Sequence, residues 1–223
     1  MSDDLKLELA RGTPLRHSTR YSFQPGIISE LQCAQLLYAA GSGFHSDIAP
    51  SEPYLPRLSF YCIVAGVQGI EPGIYSYMPG SPYLQLVRSG DSRIQLQQIV
   101  SYTGYHNAYH INIHIFPVGE YRKGAHHYGP RWYRIQNMLA GSAIQRLYLA
   151  AALLGLGCHT SLAYPIEAVN TLLGLAGGAT ALAQVLIGPE RLAGQYYELR
   201  LPALLAEARS EGSQGEPAIE GGQ

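Results

Sequence analysis

The sequence predicts an α+β fold, and three observations predict it. Strand-like and helix-like stretches both occur, without the regular strand–helix alternation of a parallel sheet. Residues 58–67, LSFYCIVAGV, are rich in aromatic and β-branched side chains and read as a buried strand. Residues 132–155 carry the longest helical pattern, with Ala143, Leu147, Ala150 and Leu154 on one face.

The elements follow in order. SELQCAQLLYAAGSG (29–43) reads as a helix capped by Ser29. Leu31, Ala34 or Gln35, and Tyr38 fall at helical spacing, and Gly41 and Gly43 stop it. The three prolines of residues 47–57 make an irregular loop. Two short strands, 73–78 and 83–88, surround a Pro-Gly turn. Residues 93–104 look helical, and HINIHIFPV (110–118) alternates like a strand. In the long helix the small run AGSA (140–143) permits close approach of another backbone, and Gly155 and Gly157 end it. CHTSLAY then reads as extended, PIEAVNTLLGL as a helix and TALAQVLIG as a strand. Residues 207–223 are rich in Glu, Gly, Ser and Gln and read as a disordered tail behind a single domain, 1–206.

Composition narrows the function. Of 223 residues, 47% are hydrophobic and only 14% charged, which suits a chain with much buried or interfacial surface, such as a homodimer. The net charge of −1 supplies no field for nucleic acid or an anionic membrane. The most apolar stretch, 147–156, is too short to span a bilayer, and the opening MSDDLKLELARG does not read as a signal peptide. Three cysteines far apart in sequence read as reduced, buried thiols of a cytoplasmic protein.

Against that sparing use of charge, LRHSTRYSF (15–23) stands out. Arg16, Ser18 and Arg20 alternate, so an extended segment puts a hydroxyl and two guanidinium groups on one side, with His17 pointing the other way. Those are the donors a phosphate wants. The alternative is a solvated basic turn before a helix. No glycine-rich phosphate loop of the P-loop or dinucleotide type is present.

Arg-His-Ser-x-Arg before a helix resembles the opening motif of the nitroreductase flavoproteins. APS (49–51) resembles their Pro-Ser segment, and AVNTLLGL (168–175) fits the helix after the flavin-edge loop. GIEPGIYSYMP (69–79) and YGPRWYRIQNMLAGSAIQRLYLAAALLGLG (128–157) resemble the SagB-type branch, which oxidises thiazolines and oxazolines in peptide natural products. The resemblance covers residues 14–190. It implies a nitroreductase-like fold: a mixed, mainly antiparallel sheet flanked by helices, with a long central helix at a homodimer interface that binds FMN. It places Arg16 and Ser18 on the FMN phosphate, His17 beside the ribityl chain and Arg20 at the pyrimidine edge. It brings Pro50 and Ser51 from the other subunit. It runs Ser161, Leu162 and Ala163 past flavin N5, with Arg191, or else Arg200, as a second phosphate ligand.

The sequence departs from that branch in three places. His127-Tyr128 stands where a catalytic Lys-Tyr pair is usual, Arg146 replaces an asparagine, and Glu52-Pro53 replaces a small Ala-Gly pair. A histidine, with an ordinary pKa of ~6.5, can serve as a base without the deep burial a lysine needs. The alternative is that His127 is an exposed loop residue. His106, His110, His114, His126 and His127 raise the question of zinc, but HINIHIF alternates like a strand and nothing completes a metal site. Most of the seventeen tyrosines read as half-buried positions; Tyr121, Tyr128, Trp132 and Tyr133 fall where the family has a substrate lid. The expected activity is an FMN-dependent dehydrogenase or oxidase acting on a peptide-derived or other heterocyclic intermediate, with a possible biosynthetic partner enzyme. An NAD(P)H-dependent nitro or quinone reductase and a non-catalytic scaffold subunit are the alternatives.

Overall fold

Ser29 opens the first helix by the device its sequence suggests. Its hydroxyl accepts the Gln32 N–H at 3.1 Å while the Gln32 side chain accepts the Ser29 N–H at 2.9 Å. In this computed structural model, which describes residues 11–42, 58–100 and 106–191, helix α1 then runs Glu30–Gly41. Its inner face is Cys33, Leu36, Leu37 and Ala40; Leu31 and Tyr38 are 67% and 61% exposed. The spacing of Leu31 and Tyr38 therefore marks the outer face, not the core face.

Strands β1 (Ser59–Val64), β2 (Gly73–Tyr77) and β3 (Gln85–Ser89) form a meander. Helix α2 (Arg93–Val100) follows. The expected strand from 110 begins later, as β4 (Ile113–Glu120), because Ala108–His110 form a 3-10 turn. Asn107 initiates that turn by accepting the Tyr109 N–H at 3.0 Å. His110 and His114 are thus on different elements. Short helix α3 (Ala125–Tyr128) leads into long helix α4 (Arg131–Leu153), then β5 (Gly157–Ser161) and α5 (Ile166–Leu173).

The expected last strand is two, β6 (Ala179–Ala181) and β7 (Gln184–Gly188), both antiparallel to β4. The gap falls at Pro117, whose carbonyl accepts the Leu182 N–H at 2.9 Å but which has no N–H to return. Among the described residues the sheet order is β3-β2-β1-β4-β7-β5, with β6 beside the far end of β4, and every named pairing is antiparallel.

Alternation sorts each strand between two layers. Cys62, Ile113, Ile115, Cys158, Val185 and Ile187 pack with Leu36, Ala143, Leu147 and Ala151 of α1 and α4. Ile63, Phe116 and Val118 pack with Leu96 of α2 and Val169 of α5 on the opposite face. Arg146, the departure within the long helix, is half buried. It donates to the Ala39 carbonyl at 2.8 Å and the Ala40 carbonyl at 2.9 Å, closing the C-terminal end of α1. Cys33, Cys62 and Cys158 are buried and unpaired. No described helix is long and apolar enough to cross a membrane. The Pro-Ser segment at Pro50 and Ser51, Arg200 and the tail 207–223 lie outside the described residues.

Candidate cofactor site

Residues 16–21 run along the free edge of β5. The Thr19 N–H donates to the Cys158 carbonyl at 2.9 Å, and the Thr19 hydroxyl accepts the Cys158 N–H at 3.1 Å. This extended run separates the side chains by parity. Thr19 is buried and donates to the Glu190 carboxylate at 2.5 Å. His17 pairs with the same carboxylate at 2.8 Å. Gly157 sits beneath them: a Cβ there would meet Thr19 Oγ1 at 2.8 Å and Glu190 Cβ at 3.0 Å. Arg16, Ser18 and Arg20 stay exposed, but they do not share one side as their alternation predicts: Arg16 and Ser18 turn toward α4 and Arg20 toward the opposite face of the sheet.

Arg16 places its guanidinium 5.2 Å from the centre of the Tyr148 ring, on the α4 side of the sheet. No carboxylate pairs with it among the described residues. Ser18 hydrogen-bonds Tyr148 Oη at 3.2 Å and His159 Nδ1 at 2.9 Å. Arg20 reaches the other face. There a cavity of about 230 Å³ is lined by residues that include Arg20, His106, His114, His159, Ser161, Ala163 and Gln184. His159 therefore joins the two halves, since it lines the cavity and touches Ser18. Arg191 follows Glu190, is exposed, and its backbone N–H donates to the Ser22 carbonyl at 2.8 Å. Ala163 N–H donates to Ser161 Oγ at 3.1 Å, and the Leu162 side chain is 74% exposed.

The cavity holds imidazoles kept neutral. Burial first, then the neighbouring His159, brings His106 down to about 4. Burial brings His114 to about 3, and His114 Nδ1 sits 3.1 Å from the Gln184 amide nitrogen. His159 is lowered by burial and by Arg20. The His106 and His159 rings lie 4.5 Å apart. His17 behaves oppositely: burial disfavours its charge, but Glu190 and the Leu15 carbonyl outweigh this and raise its pKa.

These shifts predict a pH dependence. In the unfolded chain His106 and His114 titrate near 6.5. Below that pH the unfolded chain binds more protons than the folded one, so stability falls, down to about pH 4 for His106 and about 3 for His114. His17 has the other sign: its contribution is full below 6.5 and is lost as pH rises through its raised pKa. Urea midpoints should therefore drop for the wild type between neutral pH and about pH 5, and drop less for His114→Gln. Parallel pH profiles would contradict the assignment.

His127 and Tyr128 do not line this cavity. They sit on α3, His127 exposed, and the Tyr128 ring stacks on Trp132 at 5.7 Å. Tyr121 stacks on Tyr133 at 5.3 Å. The four aromatic residues expected as a lid form two internal stacks. Trp132 and Gln136, one turn apart on α4, clamp the Glu120 peptide. The Gln136 amide accepts the Glu120 N–H at 2.7 Å, and the Trp132 indole donates to the Glu120 carbonyl at 2.9 Å. Gly119 and Gly124 let the backbone come this close: a Cβ at Gly119 would strike the Gln136 amide, one at Gly124 the indole.

The sequence profile described as the nitroreductase family matches residues 15–188. The chain belongs to the nitroreductase family. Solved structures agree in fold. A protein from Anabaena variabilis assigned as a nitroreductase superposes with a TM-score of 0.69 at 26% identity, covering 82% of this chain and 38% of that one. The present chain thus spans well under half of that relative's length. The Escherichia coli microcin synthetase McbBCD complex with truncated pro-MccB17 bound gives 0.63 at 18% identity, over 78% of this chain and 69% of that one. The NADPH:FMN oxidoreductase of Vibrio harveyi, complexed with NAD+, gives 0.56 at 16% identity, over 92% and 85%. No curated protein matches the sequence. The α+β, mainly antiparallel sheet agrees with the fold of the solved nitroreductase structures.

Around this nitroreductase-family site, sequence reasoning missed Tyr148, His159, Glu190 and the His114–Gln184 pair. One signal was available for His159: it shares parity with Ser161 on β5 and so shares its face.

Proposed function

We propose that this nitroreductase-family chain is an FMN-dependent dehydrogenase or oxidase that acts on an azoline or other peptide-derived heterocycle. The observation that carries the cofactor assignment is the continuity from Arg16 and Ser18, through His159, into a cavity lined by Arg20, Ser161 and Ala163. These residues fit FMN: two phosphate donors on one side of the β5 edge, and a cation with no lining carboxylate on the other.

When bound, FMN supplies a two-electron acceptor for a hydride. Arg16 and Ser18 hold the phosphate, with Arg191 as a second cation. His17 and Glu190 fix the backbone between them. Arg20 favours negative charge at the pyrimidine edge. A backbone N–H of the Ser161–Ala163 run would donate to the flavin edge when FMN is bound; the Ala163 N–H is already engaged by Ser161 Oγ. Oxidation of an azoline also removes a proton from the neighbouring ring carbon; we assign that proton to His127 and substrate orientation to Tyr128 from their place at the family's Lys-Tyr pair alone, since neither lines the cavity of this chain. The azoline reading is supported by the sequence motifs at 69–79 and 128–157 and by the fold likeness to McbBCD. The exposed apolar residues of α1 and α4, Leu31, Tyr38, Tyr133 and Met138, suit a homodimer that brings Pro50 and Ser51 to the partner's cofactor.

Purified protein should be yellow and release FMN on heating. His127→Ala and Tyr128→Phe should keep FMN but lose turnover in single-turnover flavin reduction, the histidine variant by the ~10²–10⁴ that a general base contributes. Wild-type rates in both variants would remove the pair from the mechanism. Colourless protein that takes up no FMN would favour the scaffold role. NADPH consumption with a nitroaromatic, and none of the azoline chemistry, would favour the reductase.

A further inference from the structure

A serine hydroxyl donates one hydrogen bond and accepts two. Ser18 has two neighbours that contest its proton, Tyr148 Oη at 3.2 Å and His159 Nδ1 at 2.9 Å. If the proton points at His159 Nδ1, Ser18 has no donor left for a ligand. One arrangement frees it. The Tyr148 hydroxyl and a proton on His159 Nδ1 both donate to Ser18 Oγ, filling its two lone pairs, and the Ser18 proton turns outward. Tyr148 is buried, and its one described hydrogen bond is to Ser18. That arrangement also fixes the other ring nitrogen. A neutral imidazole protonated at Nδ1 presents Nε2 as a bare acceptor. Burial and the Arg20 charge keep His159 neutral. No described hydrogen bond uses its Nε2, and the ring lines the cavity.

We propose that Tyr148, Ser18 and His159 form one hydrogen-bonded set that selects a phosphorylated polyol, with Ser18 donating to a phosphate oxygen and His159 Nε2 accepting a hydroxyl proton from the adjoining chain. The proposal rests on the FMN reading and deepens it. His159 becomes a binding residue for the ribityl chain, and Tyr148 a positioning residue acting through Ser18. A phosphomonoester without hydroxyls satisfies only Ser18, and riboflavin satisfies only His159. FMN satisfies both.

The test is a titration of the full-length protein, stripped of flavin, with three probes: FMN, riboflavin, and an FMN analogue whose ribityl chain is replaced by unsubstituted pentyl phosphate. Wild type should prefer FMN to the pentyl analogue by about tenfold, the worth of one hydrogen bond. His159→Asn keeps a donor for Ser18 but loses the acceptor at Nε2. It should bind FMN and the analogue alike while still preferring both to riboflavin. Tyr148→Phe should instead erode the preference for FMN over riboflavin, and leave the preference for FMN over the analogue in place. Two-bond ¹⁵N–¹H correlations on FMN-loaded wild type should show His159 protonated at Nδ1. If wild type binds FMN and His159→Asn keeps the full preference for FMN over the analogue, or the proton sits on Nε2, the proposal fails and the FMN reading stands. If wild type binds none of the three probes, the FMN reading fails and takes the proposal with it.

Discussion

Replacing Trp132 with alanine is expected to lower stability by about 3–5 kcal/mol, the range for truncating a large buried aromatic. Trp132 is the largest fully buried side chain described, at 1% exposure. Its loss leaves a cavity between α4 and the turn after β4. It also leaves the Glu120 carbonyl with two donors, the Gln136 amide at 3.1 Å and the Lys123 N–H at 3.3 Å, in place of three. The Tyr128 ring loses the surface it stacks on. Trp132→Phe keeps a ring but not the indole N–H, so it should lose markedly less. Urea unfolding gives both values. A loss under about 1 kcal/mol for the alanine variant would mean that the turn repacks and that the indole is not what anchors it.

Arg16→Ala should weaken FMN binding about ten- to hundredfold, the equivalent of ~1.5–3 kcal/mol for a charge-assisted contact. Riboflavin, without the phosphate, should bind the variant and the wild type almost equally. The geometry makes this a clean experiment. Arg16 is exposed, has no described acidic partner, and touches the fold chiefly through the face of Tyr148. Its removal leaves Thr19, His17 and Glu190 in place to hold the segment. Fluorescence titration with both flavins reads the result. Equal losses for FMN and riboflavin would show that Arg16 acts on the segment's conformation rather than on a phosphate.

The exposure of Arg16, Ser18 and Arg20 was legible because an extended chain has a period of two, but their split between the two faces of the sheet was not, because it depends on the distant Tyr148 and His159. The long helix was legible because Ala143, Leu147 and Ala150 repeat over several turns. Helix α1 was legible as a helix but not in its orientation. Leu31 and Tyr38 make a stripe as apolar as Cys33, Leu36 and Leu37, and periodicity cannot choose between two such faces. The strand from 110 was placed too early because HINIH alternates, while an Asn107 side chain converts its start into a turn. One predicted strand became two because a missing N–H at Pro117, on another strand, interrupts the ladder. The partners of the basic cluster were illegible for the same kind of reason. Ser18 meets residues 130 and 141 positions away, and Thr19 meets one 171 positions away. No local pattern encodes contacts at that range.

That separation bears on how the protein is made. The segment that lies on the edge of β5 is among the first described parts of the chain to leave the ribosome, yet Glu190, which anchors it, is among the last. β5 gains its own partner only when β7 has been synthesised. Until then residues 16–20 have no edge to join, and the two guanidinium groups have no fixed spacing. Long-range closure of this kind is slow relative to local helix formation. On the proposed FMN reading, cofactor loading is therefore confined to the finished domain, and a nascent chain that stops short of Glu190 carries the basic cluster without the partners that fix it.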